Sequence, residues 1–338
     1  MELLLMSKSD ISSEAATVGM EPLVSVVVPV YNVRDYLEEC VCSLVKQTYS
    51  NIEVLLIDDG STDGSGDLCD SLANKDDRIS TFHKTNGGLS DARNYGIDRL
   101  TGDFVAFVDS DDFVHPNYVE RLLEPFFSDD ELDISVCSYS LFEDGQLFEL
   151  PDTTNGGYET ITSKEALSRL CEPHRSMQLE IACSKLFKKS LLHGIRFPVG
   201  KVHEDTATTY KLYYAARHIA VSEAKLYYYR QRAGSITGKF RPSNMDMIGN
   251  LIERDQFYRS NLPRDISEKH TAFALNAIIR LYYSAEGSGY ENSILKAYRS
   301  FYKRASKLTS FQQRLRAYLQ YRVPGLCRVL FTLKDRFC

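Results

Sequence analysis

The chain has 338 residues, 43% hydrophobic and 25% charged, with a net charge of −6 and a pI of about 5.7. That is ordinary globular composition, enough for one large domain or two smaller ones, and it excludes nucleic-acid binding by the chain as a whole. No apolar run approaches the roughly 18 residues needed to span a membrane, and MELLLM is too short for a signal-peptide core and lacks a basic leader.

Residues 1–21 read as a loosely ordered leader, with Met20 as an alternative start. VSVVVPV, Val24 to Val30, is continuous and β-branched, which predicts a buried strand. Asn32 is placed to cap a helix whose apolar positions include Leu37, Val41, Leu44 and Val45. EVLLI, Glu53 to Ile57, predicts a second buried strand, and the turn-rich DDGSTDGSGD follows it. A helix near Leu68 to Ala73 and a short strand at Ile79 to Phe82 come next. NGGLSDARNYGI reads as a glycine loop running into a helix that Gly102 would end. Phe104 to Val108 is the next strand, and Pro116 suits the first turn of the helix after it. This alternation predicts an α/β layer with a mostly parallel sheet. Beyond Asp133 the pattern is mixed. ISVCSYSLF and QLFEL flank an Asp144–Gly145 turn and suggest a hairpin; residues 163–217 look largely helical; KLYYYRQRAGS reads as a strand and a basic loop. From about Asn244 the pattern is helical to the end.

In parallel sheets ligands bind outside the carboxyl ends of the strands. Three of those ends carry polar residues: Tyr31–Asn32, Asp58–Asp59–Gly60–Ser61 and Asp109–Ser110–Asp111–Asp112. They should converge on one site. Asp109 and Asp111, two apart, would face the same side of an extended backbone. Paired carboxylates at a strand end suit Mg²⁺ or Mn²⁺, which take oxygen ligands and substrate phosphates. The competing reading is a solvated acidic turn. On the metal reading the acids of FVDSDDF need no protein cation, because a metal and a diphosphate complete them, and Asp112 is a helix-side acid.

Other motifs carry less. Asp59, Ser61, Asp63, Gly64, Asp67 and Asp70 follow calcium-loop spacing, but a buried strand precedes them where a helix is required. A strand ending in DxD also suits haloacid-dehalogenase-type phosphatases, although Asp112–Phe113 stands where a Gly–Thr pair usually follows. Gly87–Gly88 could let backbone approach a phosphate. Arg93 lies in the helix beyond and would serve the site or face solvent. His203–Glu204–Asp205 precedes a helical pattern and is either functional or an acidic helix start. His83 and His193 have no recognisable partner. The eight cysteines show no CxxC and no zinc spacing, as in a reduced cytosolic protein.

VSVVVPVYN, IEVLLIDDGSTDGS, NGGLSDARNYGI and GDFVAFVDSDDFVHP stand in order from Val24 to about Leu123. Together they resemble the family 2 glycosyltransferases, which have a GT-A fold. The resemblance runs more thinly through SKLFKKSLL, FPVGKVHED and LYYYRQRAGSIT to about Thr237, where it is similar to branches that build bacterial capsule, exopolysaccharide or cell-wall polysaccharide. Relatives often carry Trp–Asn before the Lys–Leu; here Cys183–Ser184 stand there, and the chain has no Trp. The resemblance implies a GT-A catalytic domain over residues 22–237, with a nucleotide-sugar half at 22–123 and an acceptor half at 124–237. A helical region at 238–338 would follow.

The resemblance also implies roles. Tyr31 would stack on or beside uracil and Asp59 accept its N3–H. Asp111 would be the main ligand of Mn²⁺ or Mg²⁺, with Asp109 a second contact to metal or donor ribose. Arg93 would lie near the donor, and Arg230, Arg232 and Ser235 would close over the diphosphate. Asp205, with Glu204 beside it, would be the base of an inverting transfer from a UDP-sugar to a glycan or lipid-linked acceptor. A non-catalytic UDP-sugar or glycan-binding relic is a further alternative, against which the intact DxD and HED argue.

The charge is uneven. From Lys296 to the end there are eleven Lys/Arg and one acid, +10, against 29 and 45, −16, in the rest. This tail mixes Arg with Leu, Tyr, Val and Phe, as for a peripheral contact with an anionic inner membrane surface. The competing reading is a helical cap with a solvated basic face. The expected location is cytoplasmic.

Overall fold

The computed structural model describes residues 21–143, 157–172, 175–231, 240–305 and 310–324. The first half alternates as expected: β1 (Val24–Val30), α1 (Arg34–Val45), β2 (Ile52–Asp58), α2 (Ser65–Ala73), β3 (Ile79–His83), α3 (Leu89–Ile97) and β4 (Phe104–Phe107). Then come β5 (Phe113–Val114), α4 (Tyr118–Leu123), β6 (Leu132–Glu143), β7 (Tyr158–Thr162), α5 (Ser163–Arg169), α6 (Ser176–Glu180), β8 (Lys185–Lys188), α7 (Glu204–Ala215) and β9 (His218–Gln231). Helices α8 (Asp246–Asn261), α9 (Arg264–Ser284), α10 (Glu291–Ala305) and α11 (Phe311–Arg322) close the described chain.

One sheet runs in the order β3-β2-β1-β4-β8-β6-β9-β5, with β7 also paired to β9. β1 pairs in parallel with β2 and with β4, and β2 with β3. β8 then enters antiparallel between β4 and β6. The chain leaves β1 first towards β2 and later towards β4, so a crevice opens at the carboxyl ends of β1 and β4. Side chains of β1 alternate between two cores. Val24, Val26, Val28 and Val30 pack with Leu37, Cys40, Val41 and Leu44 of α1, while Val27 faces Ala92 and Ile97 of α3.

Gly96 sets how closely α3 lies on the sheet. A Cβ there would stand 2.4 Å from Val27 Cγ1. Gly96→Ala is therefore expected to destabilise the fold by about 1–3 kcal/mol through overpacking. A lowered urea midpoint at unchanged m-value would show it, and an unchanged midpoint would mean α3 shifts freely.

Four local expectations are corrected. Asn32 does not cap α1. It takes a left-handed conformation, φ 51°, its Oδ1 accepts from the Thr62 N–H at 2.8 Å, and Val33 precedes the helix. α3 ends at Ile97, before Gly102, whose N–H donates to Ser25 Oγ at 2.9 Å where the chain enters β4. The Lys185–Lys188 segment, taken as helical, is strand β8. Asp109–Asp112 is a turn rather than extended chain, closed by Asp112 N–H donating to Asp109 O at 3.0 Å. The Asp144–Gly145 hairpin lies outside the described residues, apart from its first strand in β6.

α8–α11 build a core of their own from Ile248, Leu251, Leu275, Ile278, Tyr298 and Ala317, among others. Tyr258 and Ile266 join it to the core beneath the sheet. Buried Arg254 reinforces the join by pairing with Glu180 at 2.9 Å.

Candidate active site

The carboxyl end of β4 supplies Asp109 to Asp112. The turn is held from below. The Tyr227 hydroxyl, from β9, accepts from Asp109 N–H at 3.1 Å and donates to Asp112 Oδ2 at 2.6 Å. Arg230 N–H donates to Asp112 Oδ1, and Arg230 Nε to Asp111 O, both at 2.8 Å. Asp112 is thus a buried anchor of the turn, not a helix-side acid, and burial with Asp109 and Asp111 nearby pushes its carboxyl well above the usual range. The Arg230 guanidinium pairs with Glu39 and lies over Phe142, Tyr36 and Phe113 at 5.0–5.7 Å. Asp111 is half-buried.

A protein cation does meet this acidic turn, contrary to the sequence expectation. Arg93 Nη2 donates to Asp109 Oδ1 at 2.9 Å, while Nη1 donates to Glu204 Oε1 at 2.7 Å and Asp205 Oδ1 at 3.2 Å. Arg93, in α3, is 1% exposed; burial pulls its pKa down, but the charges of Asp109, Asp205 and Glu204 outweigh this and raise it well above its ordinary value. One fork therefore joins the acidic turn to the HED segment.

Glu204 and Asp205 start α7, where acids are favoured by the helix dipole. His203 before them is left-handed, φ 57°, a costly conformation for a non-glycine residue. Asn244 Nδ2 donates to its ring Nε2 at 3.0 Å and Asn250 Nδ2 to its carbonyl at 2.9 Å, which pins it. Burial, then the Glu204 charge, pushes Asp205 up to about 7 against the pull of Arg93. Its side chain nevertheless keeps 20% of its surface open. A carboxylate so placed can take a proton near neutral pH.

At the ends of β2 and β3, Asp59 is buried and accepts from Gly87 N–H at 2.9 Å, Gly88 N–H at 2.7 Å and the Lys84 ammonium. Gly88, φ 86°, supplies the left-handed turn that aims these N–H groups. Tyr31, at the end of β1, is 50% exposed. Arg232 and Ser235 lie outside the described residues.

Sequence reasoning missed two supports. Lys84 directly follows β3, a fourth strand end, and pairs with both Asp59 and Asp91. Tyr227 sits in an aromatic run that reads as core. His83, taken as unpartnered, bridges Asp58 at 2.8 Å and Asp70 at 3.0 Å. Among the described residues no group of three or more His, Cys, Asp or Glu could hold a metal alone.

The fold has solved counterparts. The structure of S. aureus TarS residues 1–349 in complex with UDP-GlcNAc superposes with a TM-score of 0.68 at 22% identity, over 88% of this chain and 86% of that one. The mannosyltransferase PcManGT from Pyrobaculum calidifontis, solved with GDP-Man and Mn²⁺, superposes at 0.52 and 16% identity, over 91% and 89%. The sheet and its flanking helices are the GT-A architecture, a glycosyltransferase fold.

The sequence profile described as Glycosyl transferase family 2 matches residues 25–195, and the chain belongs to that family. Streptococcus pneumoniae glycosyltransferase GlyA is 37% identical over 74% of this chain, a match spanning 36% of GlyA. GlyG of the same organism is 36% identical over 64% of this chain and 73% of its own length. Bacillus subtilis EpsH, a putative glycosyltransferase, is 33% identical over 65% of this chain and 64% of its own. Membership of that family removes the phosphatase reading.

Proposed function

We propose that the chain is an inverting glycosyltransferase that moves a sugar from a UDP-sugar to a hydroxyl of a glycan or lipid-linked acceptor in bacterial surface-polysaccharide synthesis. The observation that carries this is the placing of the Asp109–Asp111 turn and the Asp205 carboxylate on either side of one guanidinium at the crevice. S. aureus TarS, solved with UDP-GlcNAc and with UDP, supports the donor class.

Tyr31 offers a face for uracil. Asp59 accepts one N–H on Oδ2, which leaves that oxygen able to accept the imide N3–H. Asp111 and Asp109 would hold Mn²⁺ or Mg²⁺. Two carboxylates at a turn fit a cation whose coordination is completed by water and donor phosphates. When bound, the ion supplies charge stabilisation to the departing UDP. Asp205 takes the proton of the acceptor hydroxyl, and Glu204 anchors Arg93 beside it. Arg232 and Ser235, with Arg230, are assigned to the diphosphate.

A panel of UDP-sugars with Mn²⁺, read by binding and slow hydrolysis, tests the reading. Binding with turnover is expected; binding without turnover on any donor or acceptor would mean a non-catalytic relic, and no binding would end the proposal.

The tail reading becomes specific at α11. Phe311, Leu315, Tyr318, Leu319 and Val323 are exposed, opposite buried Ala317 and Gln320, with Arg314, Arg316 and Arg322 on the open surface and no acid in the helix. We assign this face to an anionic membrane surface. No helix among the described residues is long and apolar enough to cross a membrane. The protein should sediment with vesicles rich in phosphatidylglycerol, less at high salt, and Leu315→Ser with Leu319→Ser should release it. Equal sedimentation of that variant would place the contact elsewhere.

A further inference from the structure

Arg93 is too enclosed to present itself to a donor. It is 1% exposed, and its two Nη groups face Asp109, Glu204 and Asp205 at 2.7–3.2 Å. Its guanidinium lies over the Phe197 ring, 5.2 Å from the centroid. Phe197 in turn is clamped to α3 by Asn94, whose Nδ2 donates to Phe197 O at 2.8 Å and whose Oδ1 accepts Phe197 N–H at 3.0 Å. The fork is therefore fixed from below, and three carboxylates from two distant segments close it from above.

Resting on the transferase reading, we propose that Arg93 is a positioning residue that ties the metal-binding turn to the base: it sets Asp205 relative to Asp109 and competes with the metal for Asp109. The guanidinium is a rigid plane, so a change at Nη2 is felt at Nη1. Without the cation the three carboxylates repel one another. A cation drawn to Asp109 shares that carboxylate with Nη2, and such competition is reciprocal. A lysine supplies the charge but cannot span both sides of the fork.

The test uses the full chain. Arg93→Gln and Arg93→Lys are compared with wild type for kcat, donor KM and Mn²⁺ affinity at saturating UDP. In both variants kcat should fall about 100-fold through misplacement of the base, with donor KM nearly unchanged. Mn²⁺ should bind Arg93→Gln more tightly, because its competitor is gone, a change of sign that general loosening of the fold does not produce. A donor KM that rises in step with the loss of kcat would make Arg93 a donor contact. Weaker or unchanged Mn²⁺ binding, or wild-type kcat in Arg93→Lys, would also overturn the proposal. Should both variants fail to fold, Phe197→Leu removes only the shelf under the guanidinium. It should lower kcat at unchanged donor KM, and an unchanged kcat would refute the inference. Wild type that turns over no UDP-sugar defeats the function reading, and this inference with it; wild-type turnover isolates the inference.

Discussion

Asp205→Asn is expected to abolish transfer and leave UDP binding intact. The amide keeps the shape of the carboxylate but cannot take the acceptor's proton, and a positioned general base contributes about 10²–10⁴-fold. The uracil and diphosphate contacts assigned here involve Tyr31, Asp59, Arg230, Arg232 and Ser235, and the amide oxygen of the variant can still accept from Arg93 Nη1, so the fork keeps its hold on Asp109. UDP titration of the variant should therefore match wild type while single-turnover transfer disappears. Retained transfer would remove Asp205 as the base.

The same carboxylate predicts a pH dependence. Burial and Glu204 raise it to about 7, and only its deprotonated form is a base. Activity should be full above about pH 7 and fall as the pH drops through that value. Stability moves the other way. An acid whose folded pKa is raised binds more protons folded than unfolded, so the fold gains stability as pH falls from about 7 towards the ordinary Asp value near 4. Above pH 7 the charged carboxylate costs stability. Asp205→Asn should then not lower the melting temperature at pH 8, because Arg93 keeps Glu204 and Asp109 as partners. A marked drop at pH 8 would show that the Arg93–Asp205 contact outweighs the burial cost.

The nucleotide half was legible because its signals are local. Val24–Val30 and Ile52–Asp58 are almost wholly buried, so their sequence is mostly apolar. Polar residues after such strands have to lie at the sheet's end. β8 was misread because four residues, KLFK, carry no alternation long enough to beat the helical patterns around them. The neutralisation of FVDSDDF was hidden for another reason. Arg93 is 16 residues before Asp109 and 112 before Asp205, and only the packing of α3 on β1 brings the three together. Asp112 looked dispensable because its partners, Tyr227 and Arg230, come from β9, more than a hundred residues later.

That geometry separates the acids of the turn in a measurable way. Asp109 and Asp111 are both half-buried; Asp109 shares its carboxylate with Arg93, and Asp111 is the acid assigned as main ligand. Asp111→Asn should raise the Mn²⁺ concentration needed for half-maximal transfer, and at sub-saturating metal the loss should be on the order of 10²–10³-fold, the scale for removing a principal charge stabiliser. Chelation with EDTA should reduce wild type to a similar level, and Mn²⁺ should restore it. Asp109→Asn should behave differently. It removes a ligand and one partner of Arg93 together, so Arg93 can shift towards Glu204 and Asp205 and misplace the base. Saturating Mn²⁺ would then recover most of the activity of Asp111→Asn but only part of that of Asp109→Asn. If the two variants recovered in the reverse order, Asp109 would be the principal ligand and Asp111 the accessory one. Activity untouched by EDTA in wild type would show that protein cations and hydrogen-bond donors, not a metal held at the turn, stabilise the leaving group.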